Sequence, residues 1–242
     1  MGHSEHESTI EALREMLASA MGSRIGVACV SVNGDPQNLY PEERALISQA
    51  VLHRQREFAA GRAAARQAMT QVGLSPCAVP SGPDRAPIWP LGVVGSISHT
   101  RQICIAATGR AEEVGAIGID VEERKPVDQS LWPSICTSGE QTYLDSQPVE
   151  QRGDIVTQLF SAKEAFFKWQ YPATRRMLDF QDIHVTLDPK NCGFQVRHID
   201  AIQWPEALNP ITGCMFSGQE WVIAWVCGHL ERPRVGFGNT PS

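Results

Sequence analysis

The chain contains no C-x-x-C pair, no stretch near the roughly 18 apolar residues that a membrane-spanning helix requires, and no excess of positive charge. Its seven cysteines, at 29, 77, 104, 136, 192, 214 and 227, are scattered and odd in number. That pattern argues against a zinc site and a disulfide framework and fits a reducing cytoplasm. The net charge of −6 provides no global basic field, so duplex nucleic acid is not an expected partner. The opening residues, MGHSEHESTIEALREML, carry acids and lack a basic segment followed by an apolar one, so a soluble intracellular protein is expected rather than a secreted one. Short repeats and low-complexity tracts are missing as well. What is present is a globular composition, 42% hydrophobic and 20% charged, long enough for one large core or for two halves of about 120 residues.

Ser8 and Glu11 make a capping box beside Ile10, Leu13, Leu17 and Met21 at helical spacing, which predicts a short amphipathic helix. His3 and His6 ahead of it read as a solvated tail. IGVACVSV (25–32) predicts a strand ended by NGDP, and the pattern from Pro41 through GRAAARQAM to Gly73 predicts one long helical region. Five prolines in SPCAVPSGPDRAPIWPLG (75–92) predict a loop. Three short strands follow, VVGSISHT, ICIAATG and GAIGIDVE. A helical stretch over 128–170 is expected to stop at Pro172, ahead of the strands DIHVTL, GFQVRHI and WVIAWVCG. Each half therefore reads as a long helix followed by about three strands: an α+β fold of two similar α/β lobes, 1–114 and 115–242, each with a small, mainly antiparallel sheet.

Chemistry enters at GIDVEERK (118–125). Side chains alternate across a strand, so Asp120 and Glu122 share a face while Ile119 and Val121 turn to the other. Two acids on one face repel unless a cation lies between them, and oxygen-only ligands on a strand end suit Mg²⁺, with Mn²⁺ as a substitute. The plain alternative is a strand leaving the core into a charged turn. A third acid comes from FSAKEAFFK (160–168), where Glu164 and Lys168 share a helical face beside Lys163 and among Phe160, Phe166, Phe167 and Trp169. Such a pair is ordinary on a helix surface, but these aromatic flanks describe the mouth of an apolar pocket. GSISHT (95–100) adds the hydroxyl of Ser98 and the imidazole of His99, and Arg54, Arg62 and Arg66 recur along one helix. Together these groups describe a magnesium site for a polyphosphate.

WPLGVVGSISHT, then IGIDVE, then, about forty residues on, FSAKEAFFKWQYP form an ordered set over roughly residues 53–187. In this the chain resembles the Sfp-type 4′-phosphopantetheinyl transferases, in the branch that includes the enterobactin-synthase component D enzymes. The resemblance implies two lobes related by a pseudo-twofold axis and transfer of the 4′-phosphopantetheine arm from coenzyme A to a serine of an acyl or peptidyl carrier protein, releasing 3′,5′-ADP. It implies that Asp120, Glu122 and Glu164 hold Mg²⁺ and that Glu164 helps deprotonate the serine. Lys168 would steady the diphosphate. Arg54, Arg62, Ser98, His99 and Lys163 would contact coenzyme A, and Phe167 would border the pantetheine channel. Two alternatives keep parts of this chemistry: a Mg²⁺-dependent phosphohydrolase acting on a coenzyme A-like diphosphate, and a non-catalytic coenzyme A-binding module. The first forty residues carry no part of the resemblance, and Arg85 is the only cation in the loop VPSGPDRAP, where related sequences often place a basic residue. PATRRML, with Arg175 and Arg176, reads as a docking edge for an acidic carrier. A chain already built of two lobes is expected to be a monomer.

Overall fold

Residues 2–199 and 210–229 are described by a computed structural model of the chain. The first helix, α1 (Gly2–Met21), begins well before Ser8, which therefore lies inside the helix rather than capping it. Its stripe of Ile10, Leu13, Leu17 and Met21 is buried as the spacing predicts. The His6 ring sits 6.5 Å from that of Trp221, so this histidine is packed rather than solvated; the side chain of His3 lies outside the described residues.

After β1 (Ile25–Ser31), the expected long helix is two: α2 (Pro41–Ile47) and α3 (Leu52–Gln71). The break lets Ile47 join Leu39, Phe58 and Ala59 in a small apolar cluster. Then come β2 (Val93–His99), β3 (Ile103–Arg110), the single turn α4 (Ala111–Val114) and β4 (Ala116–Glu123). The stretch expected to be one helix over 128–170 is three: α5 (Trp132–Ile135), α6 (Ser138–Asp145), which opens on a capping box between Thr137 and Glu140, and α7 (Val149–Thr174). Pro133 sits in the first turn of α5, where its missing amide costs nothing, the Thr137 cap starts α6 afresh, and Pro148 stands just ahead of α7. Pro172, by contrast, does not stop α7, because its missing N–H costs one bond in the last turn; the helix ends at Arg175, which is left-handed. The remaining strands are β5 (Ile183–Asp188), β6 (Gly193–His198), β7 (Ile211–Ser217) and β8 (Trp221–Gly228). Among the described residues no helix is long and apolar enough to cross a membrane.

The fold is α+β with two antiparallel sheets, ordered β1-β3-β2 and β4-β8-β7-β6-β5. β4 pairs with β8 rather than with β2 or β3, placing Asp120 opposite Ala224 and Glu122 opposite Val222. Each sheet carries one long helix at very short range. The alanine face of α3 (Ala64, Ala65, Ala68) packs on β1 and β3, and a Cβ on Gly26 would lie 2.0 Å from the Ala68 carbonyl oxygen. α7 packs on β4 and β8 in the same way, and a Cβ on Gly118 would lie 2.0 Å from the Ala165 carbonyl oxygen. Glycine at these two points is what lets the helices approach. On the opposite face, α1 shares one apolar cluster with both sheets, in which Leu13 and Leu17 meet Val27 and Ile105 from one and Ile119 and Ile223 from the other.

Candidate active site

β2 and β4 are edge strands of different sheets, yet they lie side by side. No backbone ladder joins them; serine hydroxyls do. The Ile119 amide donates to Ser96 Oγ (3.0 Å) and the Val121 amide to Ser98 Oγ (3.3 Å). Because 96 meets 119 and 98 meets 121, the two edges run in the same direction. Small hydroxyl side chains at alternate positions of GSIS are what permit this, since each accepts a hydrogen bond that a carbonyl would otherwise take.

The chemistry converges on that junction. Asp120 is almost completely buried, and its Oδ1 accepts from Ser98 Oγ (2.9 Å) and from Lys168 Nζ (2.6 Å), the latter reaching in from α7. Lys168 also donates to Ser98 Oγ (2.9 Å). Asp120 Oδ2 is buried with no hydrogen-bond partner. Two residues along the same face, Glu122 is pushed up from 4.5 to about 7 by burial first and then by Asp120, with Glu164 and Glu123 adding and Lys168 opposing. Glu164, on α7, is also raised, by burial and then by Asp120, again against Lys168. Three facing carboxylates thus share one ammonium. Among the described residues, no three His, Cys, Asp or Glu side chains converge closely enough to coordinate a metal as they stand. The donor set nevertheless fits a hard divalent cation: it is all oxygen, it is under-neutralised, and one buried carboxylate oxygen lacks a partner.

The remaining predicted residues divide. Arg54 and His99 meet, with Arg54 Nη1 3.3 Å from His99 Nε2. A guanidinium only donates, so Nε2 accepts, and Nδ1 carries the hydrogen toward the Thr100 carbonyl at 3.2 Å. Phe167 stacks on Tyr171 (centroids 5.2 Å apart) and lines a cavity with Lys168, Trp89 and the loop Asp84–Pro87. Two expected phosphate contacts are corrected. Lys163 is wholly buried, and its ammonium donates to Ile135 O (2.8 Å), Glu140 Oε2 (2.8 Å) and Phe180 O (2.7 Å), which uses all three hydrogens. Arg62 turns inward, its Nε on Val79 O (2.8 Å), its Nη2 on Ser81 Oγ (2.7 Å) and its guanidinium over the Phe58 ring; burial pulls it down to about 10. Both positions follow from helix geometry: Lys163 lies about 100° around α7 from Glu164, and Arg62 on the side of α3 that packs on the rest of the molecule. Arg175, read as a docking cation, is paired with Asp84 at 3.1 Å.

Sequence reasoning missed the serine bridges, the buried Glu140 and the contact of Asp84 with α7. Only Glu140 left a legible mark, in the spacing Thr137-x-x-Glu140.

Known proteins are similar to this chain over most of its length. Residues 42–109 match the family "4′-phosphopantetheinyl transferase N-terminal domain" and residues 116–226 the "4′-phosphopantetheinyl transferase superfamily". The chain is 33% identical over 179 residues to 4′-phosphopantetheinyl transferase PptT of Mycobacterium tuberculosis, covering 73% of this chain and 78% of that protein. It is 37% identical to 4′-phosphopantetheinyl transferase Svp of Streptomyces mobaraensis, covering 67% of each. Similarity extends to enterobactin synthase component D of Salmonella typhi, 36% identical over 48% of this chain and 47% of that one. α1 and β1 precede both family matches.

Proposed function

The chain belongs to the 4′-phosphopantetheinyl transferase superfamily, and from that premise we propose how the junction of β2, β4 and α7 performs the transfer. The protein is an enzyme that moves 4′-phosphopantetheine onto carrier proteins. A carrier serine oxygen attacks the phosphorus that bears the pantetheine arm. The new P–O bond forms as the diphosphate bridge opens, and 3′,5′-ADP leaves with the bridging oxygen. The serine proton must go to a base.

Glu164 is the base in this reading, because burial beside Asp120 raises its proton affinity above that of an exposed carboxylate. Lys168 holds positive charge beside Asp120 and Ser98, where the diphosphate is to lie. Asp120, Glu122 and Glu164 would hold Mg²⁺ or Mn²⁺, which supplies charge neutralisation on the diphosphate. Arg54 on α3, His99 at the end of β2, and Arg85 at the cavity mouth are assigned to the phosphates of coenzyme A; Phe167 forms a wall of the arm's channel. The observation that carries the reading is the bridge Asp120–Ser98–Lys168, three side chains from three elements meeting between two sheets.

We extend the reading to two lobes, 1–114 and 115–242, related by a pseudo-twofold axis. The matching close packing of α3 on Gly26 and α7 on Gly118 supports it. Free thiols at every described cysteine support a reducing cytoplasm, and a monomer is the proposed state. Likeness to enterobactin synthase component D makes a siderophore-pathway carrier the first acceptor to assay. The test is intact-mass analysis of apo acyl and peptidyl carrier proteins incubated with the chain, coenzyme A and Mg²⁺. A gain of one phosphopantetheine is expected, lost on chelation and reduced by roughly 10²-fold or more in Glu164→Ala. An unmodified carrier, or a Glu164→Ala variant at full rate, would refute the site.

A further inference from the structure

Asp84 divides its two carboxylate oxygens between two bodies. Oδ1 accepts from the Ala86 amide (3.1 Å), inside a tight turn also closed by Arg85 N to Gly82 O (2.9 Å) and Gly82 N to Ala86 O (2.9 Å). Oδ2 crosses the cleft and accepts from the Tyr171 hydroxyl (2.8 Å) and from Arg175 Nη1 (3.1 Å), both at the end of α7.

Between these anchors Arg85 is held at φ 66°, in the left-handed region that a residue with a side chain seldom occupies. It faces the same cavity as Phe167, Lys168 and Tyr171. Arg175 is left-handed too, at φ 55°. Tyr171 stacks on Phe167, and the Arg175 guanidinium lies 5.5 Å from the Tyr171 ring centroid, so the three line up one turn apart along α7 with Asp84 at the far end. At Arg175 that backbone is the ordinary left-handed end of a helix; at Arg85 it belongs to the turn that Asp84 Oδ1 helps to close, a sparsely populated conformation that the surrounding contacts must hold. The contacts are exposed and individually weak, so the turn is aimed without being locked.

Resting on the assignment of this cavity to coenzyme A, we propose that Asp84 is a positioning residue that presents Arg85 to the coenzyme A phosphates by tying the 81–87 turn across the cleft to α7.

The experiment is steady-state kinetics of the full chain with coenzyme A varied at saturating apo carrier. Asp84→Ala is expected to raise KM for coenzyme A about fivefold to tenfold and to change kcat by less than about twofold. Tyr171→Phe, which leaves the turn's internal bond in place, is expected to raise KM about twofold to threefold, and it decides the matter should Asp84→Ala fold poorly. Arg85→Ala should raise KM at least as much as Asp84→Ala, and adding Asp84→Ala to it should change nothing further. If Arg85→Ala raises KM while Asp84→Ala does not, if the two effects multiply, or if Asp84→Ala lowers kcat alone, the positioning role is overturned and the cavity assignment stands. If none of these variants moves KM, the cavity is not the coenzyme A site and both ideas fall.

Discussion

Asp120 and Glu122 were legible because a strand has a period of two: two acids separated by one apolar residue must share a face. The state of Glu122 was not legible, because it depends first on burial and then, beyond Asp120, on Lys168 and Glu164 arriving from another element. The raised affinity of Glu122 for its proton has a consequence for stability. The folded protein holds that proton up to about pH 7, whereas the unfolded chain releases it near 4.5. Stability from this group is therefore complete below 4.5 and is lost as pH climbs to 7. At full weight the shift is about 3 kcal/mol, which partial exposure reduces to roughly 1–2 kcal/mol. In chelator, Glu122→Gln should accordingly raise the thermal midpoint by a few degrees at pH 8 and hardly at all at pH 4.5, while it abolishes transfer when Mg²⁺ is restored. Thermal scans at the two pH values check this, and a lower midpoint at pH 8 contradicts it.

Among elements, α7 does two jobs on two faces. One face sends Glu164 and Lys168 to the junction, and the i, i+4 spacing announced this. The other buries Lys163 against Glu140, which also accepts from the amides of Thr137 and Val185, so a single buried pair clamps α5, α6 and β5 onto the helix. Charge near a motif suggested a ligand contact; only the direction around the helix, fixed by packing, reveals a strut. Lys163→Met should cost about 3–5 kcal/mol, because it strands a buried carboxylate, and combining it with Glu140→Gln should recover part of that loss. Urea unfolding midpoints measure both, and a Lys163→Met variant of unchanged stability would dismiss the strut. The other mismatches have similar origins. The break between α2 and α3 lets the residues on either side of it fold back on one another, Ile47 and Leu39 against Phe58 and Ala59, and β7 was hidden by the weak alternation and internal glycine of ITGCMFS.

For the whole molecule, the strand order along the chain was nearly readable, and a division at 114/115 sets β4 apart from β2 and β3; what was not readable is its partner, because nothing local to β4 points to β8 about a hundred residues on. What joins the sheets is sparse, two serine hydroxyls on one side and the apolar cover of α1 on the other. Ser96→Ala would leave the buried Ile119 amide without an acceptor, at about 1–3 kcal/mol. Hydrogen exchange should then quicken at Ile119 while the β6–β7 amides keep their protection; unchanged exchange at Ile119 would show that the serine carries no part of the join. Because those two strand edges face one another, neither offers its unpaired backbone as a template to a second chain. The slit proposed as catalytic would thereby also safeguard solubility, and loosening it would be felt first as self-association in the test tube and only afterwards as slow turnover.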